Sequence, residues 1–297
     1  MDVAVEEWIR AHVVPVKPIE MAHDRPWAQV MRVPTAGGDV WFKACAPVQA
    51  FEPRLSAQLF GRWPDRVAEV LAYDERRAWL LLADAGRPVG AHGNPPETWR
   101  AALPLYAELQ RGEAAYVEQH LRRGVPDLRL AALPERYEEL VRQRLSIGSE
   151  ELAVMRGFTG RLAAHCEDLA ARGVPESIQH DDLHMANLYT DRGRLRVLDW
   201  GDSSISHPFA SLVVTFRFLE ERNGLAPDDP WFACLRDAYL EPWGAGHRDT
   251  FDVAMTVGAV AHAVASLRQR RALPATARAG FDEDFAVVLR RAIAKMR

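Results

Sequence analysis

Residues 179–202 carry Gln179-His180-Asp181-Asp182-Leu183-His184-Met185-Ala186-Asn187 and then Val197-Leu198-Asp199-Trp200-Gly201-Asp202. Two short β-prone runs, Asn187–Thr190 and Leu195–Leu198, flank the turn-forming Asp191-Arg192-Gly193-Arg194, so the stretch reads as a loop followed by a hairpin. A loop can offer the Asp182 carboxylate to a hydroxyl while Asn187 turns toward a cation. Asp199, at the end of a strand, can supply a second oxygen ligand. Mg²⁺ takes hard oxygen donors, few of them from the protein and the rest from phosphates and water. The order H-x-D-x-x-x-x-N followed by D-x-G is the arrangement that phosphoryl transfer uses.

Working outward, the chain before residue 95 is rich in β-formers and the remainder is helical. A short helix is expected around Glu6–His12. Trp27–Val33 and Val40–Ala46 flank Pro34-Thr35-Ala36-Gly37-Gly38-Asp39 as a hairpin. Phe51–Trp63 has Leu55, Leu59 and Phe60 at helical spacing behind Pro53. Val67–Tyr73 and Trp79–Ala83 form a second hairpin. Helices are expected over Thr98–Arg123, Pro134–Leu145 and Glu150–Arg172, and again from His207 onward with breaks near Gly224–Pro230 and Leu273–Gly280. The expected organisation is therefore an N-terminal lobe over 1–84, a Gly/Pro-rich linker over 85–96, and a helical lobe over 97–297 interrupted by the polar hairpin. This is an α+β pattern, not alternating βαβ. Neither GxGxxG nor GxxxxGK[ST] is present, which removes a Rossmann site and a P-loop.

Composition narrows the class further. The 297 residues are 48% hydrophobic and 26% charged, which suits a globular protein with a sizeable core and excludes disorder and a disulfide scaffold. The net charge of −4 leaves no global basic footprint for nucleic acid. Cys45, Cys166 and Cys234 are widely spaced and make no CxxC pair, as expected of a reduced, cytoplasmic chain. The N-terminal MDVAVEEWIRAH lacks the basic and apolar regions of a signal peptide, and the apolar stretch Val253–Leu267 reads as a buried helix, not a membrane span. Of 37 basic residues only Lys17, Lys43 and Lys295 are lysines, so each invites the question of why arginine does not serve.

At His180–Asn187 and Asp199-Trp200-Gly201 the chain resembles the aminoglycoside phosphotransferase family, the small-molecule branch of the protein-kinase-like fold, whose members typically show HGDLHxxN and a later DW or DF. The resemblance covers most of residues 25–270. It implies a two-lobed fold with a small antiparallel-sheet N-lobe and a larger helical C-lobe. It implies Mg²⁺-ATP-dependent transfer of a γ-phosphoryl group to a hydroxyl of a small antibiotic or metabolite, GTP remaining open as the donor. Asp182 would be the catalytic base, Asn187 and Asp199 the metal ligands, and His180 and His184 scaffold for the loop. Lys43, in Val40-Trp41-Phe42-Lys43, would be the phosphate-binding lysine, with Glu52 the nearest acid to pair with it. The strand ending at Leu82 and Ala83 and leading into Asp84 would bind the adenine edge. Two departures stand out: Asp181 occupies the position where the family most often has glycine, and Ser203-Ser204-Ile205-Ser206-His207-Pro208 replaces the family's Gly-Asp-Pro turn.

Two other readings use the same residues. His180, Asp182 and His184 could form an HxDxH metal cluster with Asp199 bridging to a second ion, as in a metal-dependent hydrolase. A catalytically silent nucleotide-binding module would instead need a broken set, and none of the expected groups is missing. Asp202 reads as a metal or substrate contact or as a loop hydrogen-bond partner. Between Arg217 and Asp252 eight acids face four arginines, whereas residues 253–297 carry eight basic groups against three acids. An acidic segment after the hairpin would suit a cationic acceptor such as an aminoglycoside or amino sugar. The expected partner is a small hydroxylated molecule, with no nucleic acid and no membrane; monomer and homodimer stay open.

Overall fold

The structure is a computed structural model that describes residues 2–191 and 194–297; Arg192 and Gly193, the centre of the expected hairpin turn, lie outside the described residues. The chain packs as two compact units. One comprises the residues up to Pro88 together with Ala186–Gly201, the other Val89–Met185 together with Asp202–Arg297.

In the first unit, helix α1 (Val3–His12) precedes strands β1 (Glu20–Arg25), β2 (Ala28–Thr35) and β3 (Gly38–Cys45). Helix α2 (Glu52–Arg62) then leads to β4 (Val70–Asp74) and β5 (Trp79–Ala83). Among the described residues these strands form an antiparallel sheet in the order β1-β2-β3-β5-β4. The register aligns Met31, Phe42 and Leu81 across the three central strands, and α1 adds Val5 and Ile9 to them as a core. Trp8 meets the edges of Phe42 and Trp79, each with ring centroids 5.7 Å away. Because side chains alternate along a strand, burying Phe42 under α1 sends its neighbour Lys43 to the opposite face. A short strand β6 (Arg87–Pro88) pairs with β8 (Leu188–Asp191), which pairs with β9 (Arg194–Val197). Val197 N–H also donates to the Arg66 carbonyl at 2.9 Å. These bonds group the hairpin with the N-terminal residues, whereas the lobe boundaries expected from the sequence place it within 97–297.

The second unit is mainly helical: α3 (Pro96–Glu113), α4 (Val117–Arg122), α5 (Leu133–Val141), α6 (Ser149–Ala171), α7 (Leu212–Asn223), α8 (Pro230–Leu240), α9 (Arg248–Ala272) and α10 (Ala275–Met296). Between them β7 (Ser177–Gln179) pairs with β10 (Ser204–Ser206). The single helix expected over Thr98–Arg123 is broken at Ala114–Tyr116, where buried His120 closes back on buried Glu113 at 2.8 Å. Helix α9 is long and apolar enough to cross a membrane on composition alone, but 72% of its most apolar window is buried inside the protein, as in a core helix.

Close approach sets one constraint on α9. A Cβ at Gly258 would lie 2.5 Å from Ala210 Cβ and 2.8 Å from Ala210 Cα, so α9 meets residues 208–211 backbone to backbone. Gly157, in α6, has nothing within 4 Å of the same position. Gly157→Ala should therefore gain about 0.5–1 kcal/mol of stability through helix propensity. Gly258→Ala should lose about 1–3 kcal/mol to overpacking despite the same propensity gain. Chemical denaturation of the two variants measures both; a gain at both positions would refute the close contact.

Candidate active site

In the first unit the geometry centres on Lys43. Its ammonium is buried and lies 2.6 Å from Glu52 Oε2 and 2.5 Å from Asp199 Oδ1. Glu52 opens α2 and is itself buried, while Asp199 is half exposed. Burial by itself lowers the Lys43 pKa, but the two carboxylates outweigh it and hold the lysine well above its ordinary value. Burial raises Glu52 against the opposing pull of Lys43. The Cys45 thiol donates to Glu52 Oε2 at 3.3 Å and is pushed up by burial and by that carboxylate.

The hairpin brings the other oxygen donor to the same end. Leu198 N–H donates to the Asn187 carbonyl at 2.9 Å, and Asn187 lies one residue and Asp199 two residues beyond the last ladder pair, Leu188 with Val197. Asp199 adopts a left-handed backbone with φ 63°, a conformation that short polar side chains tolerate. Gly201 is forced by space: a Cβ there would lie 2.6 Å from Gln49 Cδ and 2.7 Å from Glu52 Oε2. On β5, Leu82 pairs with Trp41 and Ala83 with Val40. The Ala83 N–H is taken by the Glu69 carbonyl at 3.0 Å, so it has no donor left for an adenine edge. Asp84 accepts from Gly86 N–H at 3.2 Å. Tyr189, which sequence reasoning passed over, lies in the field of both Asp84 and Asp199; burial first, then those two acids, raises its hydroxyl.

In the second unit a buried polar network holds the loop that carries Asp182. Gln110 Nε2 donates to the Ile178 carbonyl at 2.8 Å and to Ser211 Oγ at 2.9 Å, and Tyr239 donates to Gln110 Oε1 at 2.6 Å. The Tyr106 hydroxyl accepts the His180 N–H at 3.1 Å. His180 is buried and its Nδ1 accepts the Asp182 N–H at 3.3 Å, so its ring props the turn. The Thr215 hydroxyl of α7 donates to the Leu183 carbonyl at 2.7 Å, and His184 stacks on Phe218 with centroids 4.4 Å apart. His184 Nε2 also lies 3.2 Å from Asp182 Oδ2. Among the described residues no three His, Cys, Asp or Glu side chains gather to hold a metal, and the buried His180 ring is committed to the loop, so the HxDxH hydrolase reading fails.

Asp181 takes the left-handed conformation at φ 59°, which is why glycine suits that position. Its carboxylate accepts from the Ser204 hydroxyl, supplied by β10 in the segment where the sequence leaves the family pattern. Burial raises Asp181 to about 6 against the pull of Ser204 and Arg268. Asp202 accepts from Gln269 of α9, which gives it a loop-anchoring bond. Much of the acidic excess of residues 217–252 is paired or capping, although Asp237, Glu241 and Asp249 line one open cavity together with Arg248. Glu220 and Glu221 pair with Arg291 at 3.0 and 2.8 Å, Asp237 pairs with Arg236 and Arg248, and Asp229 caps α8. The sequence cue for a cationic acceptor is thus partly cancelled by Arg291 of the basic tail and by Arg236 and Arg248 of the segment itself.

The comparisons fit this geometry. The profile of the phosphotransferase enzyme family matches residues 23–249. Similar solved structures include an aminoglycoside 2′-phosphotransferase-IIIa in complex with GDP (16% identity, TM-score 0.66, covering 98% of this chain and 97% of that one). They include choline kinase LicA from Streptococcus pneumoniae (11% identity, TM-score 0.62, 97% and 98%). A third is the amicoumacin kinase hAmiN with AMP-PNP and Ca²⁺ (13% identity, TM-score 0.61, 100% and 93%). No curated protein sequence matches the chain. The fold is that of the protein-kinase-like phosphotransferases. The chain belongs to the phosphotransferase enzyme family and is a small-molecule kinase.

Asp181 yields a test of the loop. Its folded-state pKa lies above the ordinary 3.8, so its contribution to stability is fully present below about 3.8 and is lost as pH rises through about 6. Asp181→Asn keeps an acceptor for Ser204 and tolerates the left-handed backbone. It should stabilise the protein by about 1–3 kcal/mol at pH 8 and by almost nothing near pH 4. Equal effects at the two pH values, measured by thermal melts, would contradict the burial of this carboxyl.

Proposed function

We propose that the protein transfers the γ-phosphoryl group of Mg²⁺-ATP to a hydroxyl of a small molecule in the cytoplasm. The observation that carries the reading is Lys43, held between Glu52 at 2.6 Å and Asp199 at 2.5 Å. A lysine kept charged and aimed by a buried carboxylate is suited to phosphate oxygens, and Asp199 is the exposed member of the pair. Asn187 and Asp199 offer one neutral and one charged oxygen at the same hairpin end, a donor set that fits Mg²⁺ completed by phosphates and water. Asn187 and Asp199 would hold such an ion, which would supply neutralisation of the charge that develops on the phosphates. The residues of this chain then have separable tasks. Lys43 binds phosphate, Glu52 fixes Lys43, and Asp182 accepts or orients the proton of the acceptor hydroxyl. His180 and Thr215 hold the Asp182 loop through main-chain groups, so that the carboxylate is preorganised.

The solved relatives named for aminoglycosides and choline support a small hydroxylated acceptor without fixing it. Those solved with GDP make GTP a donor to be tried beside ATP.

Nucleotide-consumption assays across amino sugars, aminoglycosides, choline and hydroxy acids test the activity. Asp182→Asn should lower acceptor-dependent turnover by about 10²–10⁴-fold. The rise in Tm produced by Mg²⁺-ATP should persist in the same variant, because Asp182 is assigned to the acceptor and not to the nucleotide. Turnover retained in this variant would remove Asp182 as the base.

A further inference from the structure

The second unit holds a cavity of about 230 Å³ among α7, α9 and α10, lined by apolar Phe216, Met255 and Val288 and by the polar Arg217 and His262. It lies beside the loop that carries Asp182. Helix α7 is pinned to that loop by the bond from Thr215 to the Leu183 carbonyl at 2.7 Å and by the stacking of His184 on Phe218. Arg217 stands between those two anchors in sequence, and both Arg217 and His262 feel the charge of Asp182.

The charges around the cavity do not balance. Glu220 and Arg291 also line it, but they satisfy each other at 3.0 Å, and Arg291 reaches Glu221 at 2.8 Å. Lys295 lines the cavity from an exposed position. Arg217 feels Glu221, Asp182 and Asp284 at a distance but makes no ion pair with them; its guanidinium lies 4.8 Å from the ring centre of Phe218, and its Nε is buried with no hydrogen-bond partner. His262 Nδ1 is likewise buried and unpartnered. Burial lowers His262 to about 4, so its ring is neutral near pH 7 and one nitrogen can donate. A buried donor left unsatisfied is costly, and an anion between the two would satisfy both.

We propose that this cavity receives the acceptor, and that the acceptor is a hydroxylated molecule with an apolar body and a carboxylate that binds Arg217 and His262. The proposal rests on the kinase reading and names the substrate class of that site. A single half-buried guanidinium, with Arg291 already neutralised, matches a monoanionic carboxylate better than a dianionic phosphate. The apolar wall of Phe216, Met255 and Val288 suits a hydrocarbon spacer between the carboxylate and the hydroxyl presented toward Asp182. An ammonium in place of the carboxylate would meet the Arg217 charge at close range.

Two probes of equal shape separate these alternatives: 4-(hydroxymethyl)benzoate and 4-(hydroxymethyl)benzylamine. Ligand-observed NMR titration of the full chain should show the benzoate binding at least about tenfold more tightly than the amine, a difference of about 1.4 kcal/mol. Arg217→Gln should abolish the preference, and Arg217→Lys, which keeps the charge, should retain most of it. The Tm rise with Mg²⁺-ATP, recorded on the same samples, reports folding and the nucleotide site. Equal or tighter binding of the amine, or a preference that survives Arg217→Gln, overturns the proposal. A benzoate preference without any Mg²⁺-ATP effect in the wild type would leave the anion site standing and remove the kinase reading instead.

Discussion

Lys43 cannot be buried alone. A desolvated ammonium costs several kcal/mol unless carboxylates meet it with good geometry. The chain brings two of them, Glu52 from the helix that follows the strand and Asp199 from 156 residues further on. Much of the first unit follows from that requirement. The alternation of β3 must put Phe42 into the core and Lys43 on the other face. Helix α2 must begin at Glu52, and the hairpin must return along Arg66 so that Asp199 arrives in a left-handed turn. Gly201 must lack a side chain because Glu52 and Gln49 occupy the space a Cβ would take. In a chain whose basic residues are nearly all arginine, a compact point charge at residue 43 is what fits between two oxygens at 2.5 and 2.6 Å.

The second unit solves a different problem, the fixing of the loop that carries Asp182 by uncharged groups. Gln110, Tyr106, Ser211 and Tyr239 form a buried network that ends on the main chain of Ile178 and His180. Such a network rigidifies only when its members are satisfied, and its buried amide is engaged at both ends. Asp181 departs from this neutral scheme, placing an acid where glycine would relieve the backbone and drawing on Ser204 for support. That pairing links the two departures from the family pattern seen in the sequence.

Where an element follows from local pattern, the sequence was enough. The β2–β3 hairpin, α2 behind Pro53, and the Asp182, Asn187 and Asp199 spacing are all legible, because turn residues and periodicity are short-range signals. Strand β1 is not, since Glu20–Arg25 is an exposed edge with no apolar alternation to mark it. Nor are β7 and β10, three residues each, whose pairing depends on contacts far apart in sequence. The engagement of the Ala83 N–H by the Glu69 carbonyl is not legible either, because it depends on how residues 69 and 83 meet in the fold. The acidic segment misleads for a similar reason: Arg291, which pairs with Glu220 and Glu221, lies 71 and 70 residues away from them in the chain. Arg217 and His262 carried no motif at all, and only the cavity brings them into view.

The account stands most directly on the binding of Mg²⁺-nucleotide by the lysine site. Thermal melts of the wild type and of Lys43→Arg, with and without Mg²⁺-ATP, measure it. The wild type should gain several degrees with Mg²⁺-ATP and little with ATP in excess chelator, and Lys43→Arg should remain folded yet lose most of that gain. A wild type indifferent to Mg²⁺-ATP, or a Lys43→Arg variant stabilised as strongly as the wild type, would contradict the assignment of Lys43 to phosphate.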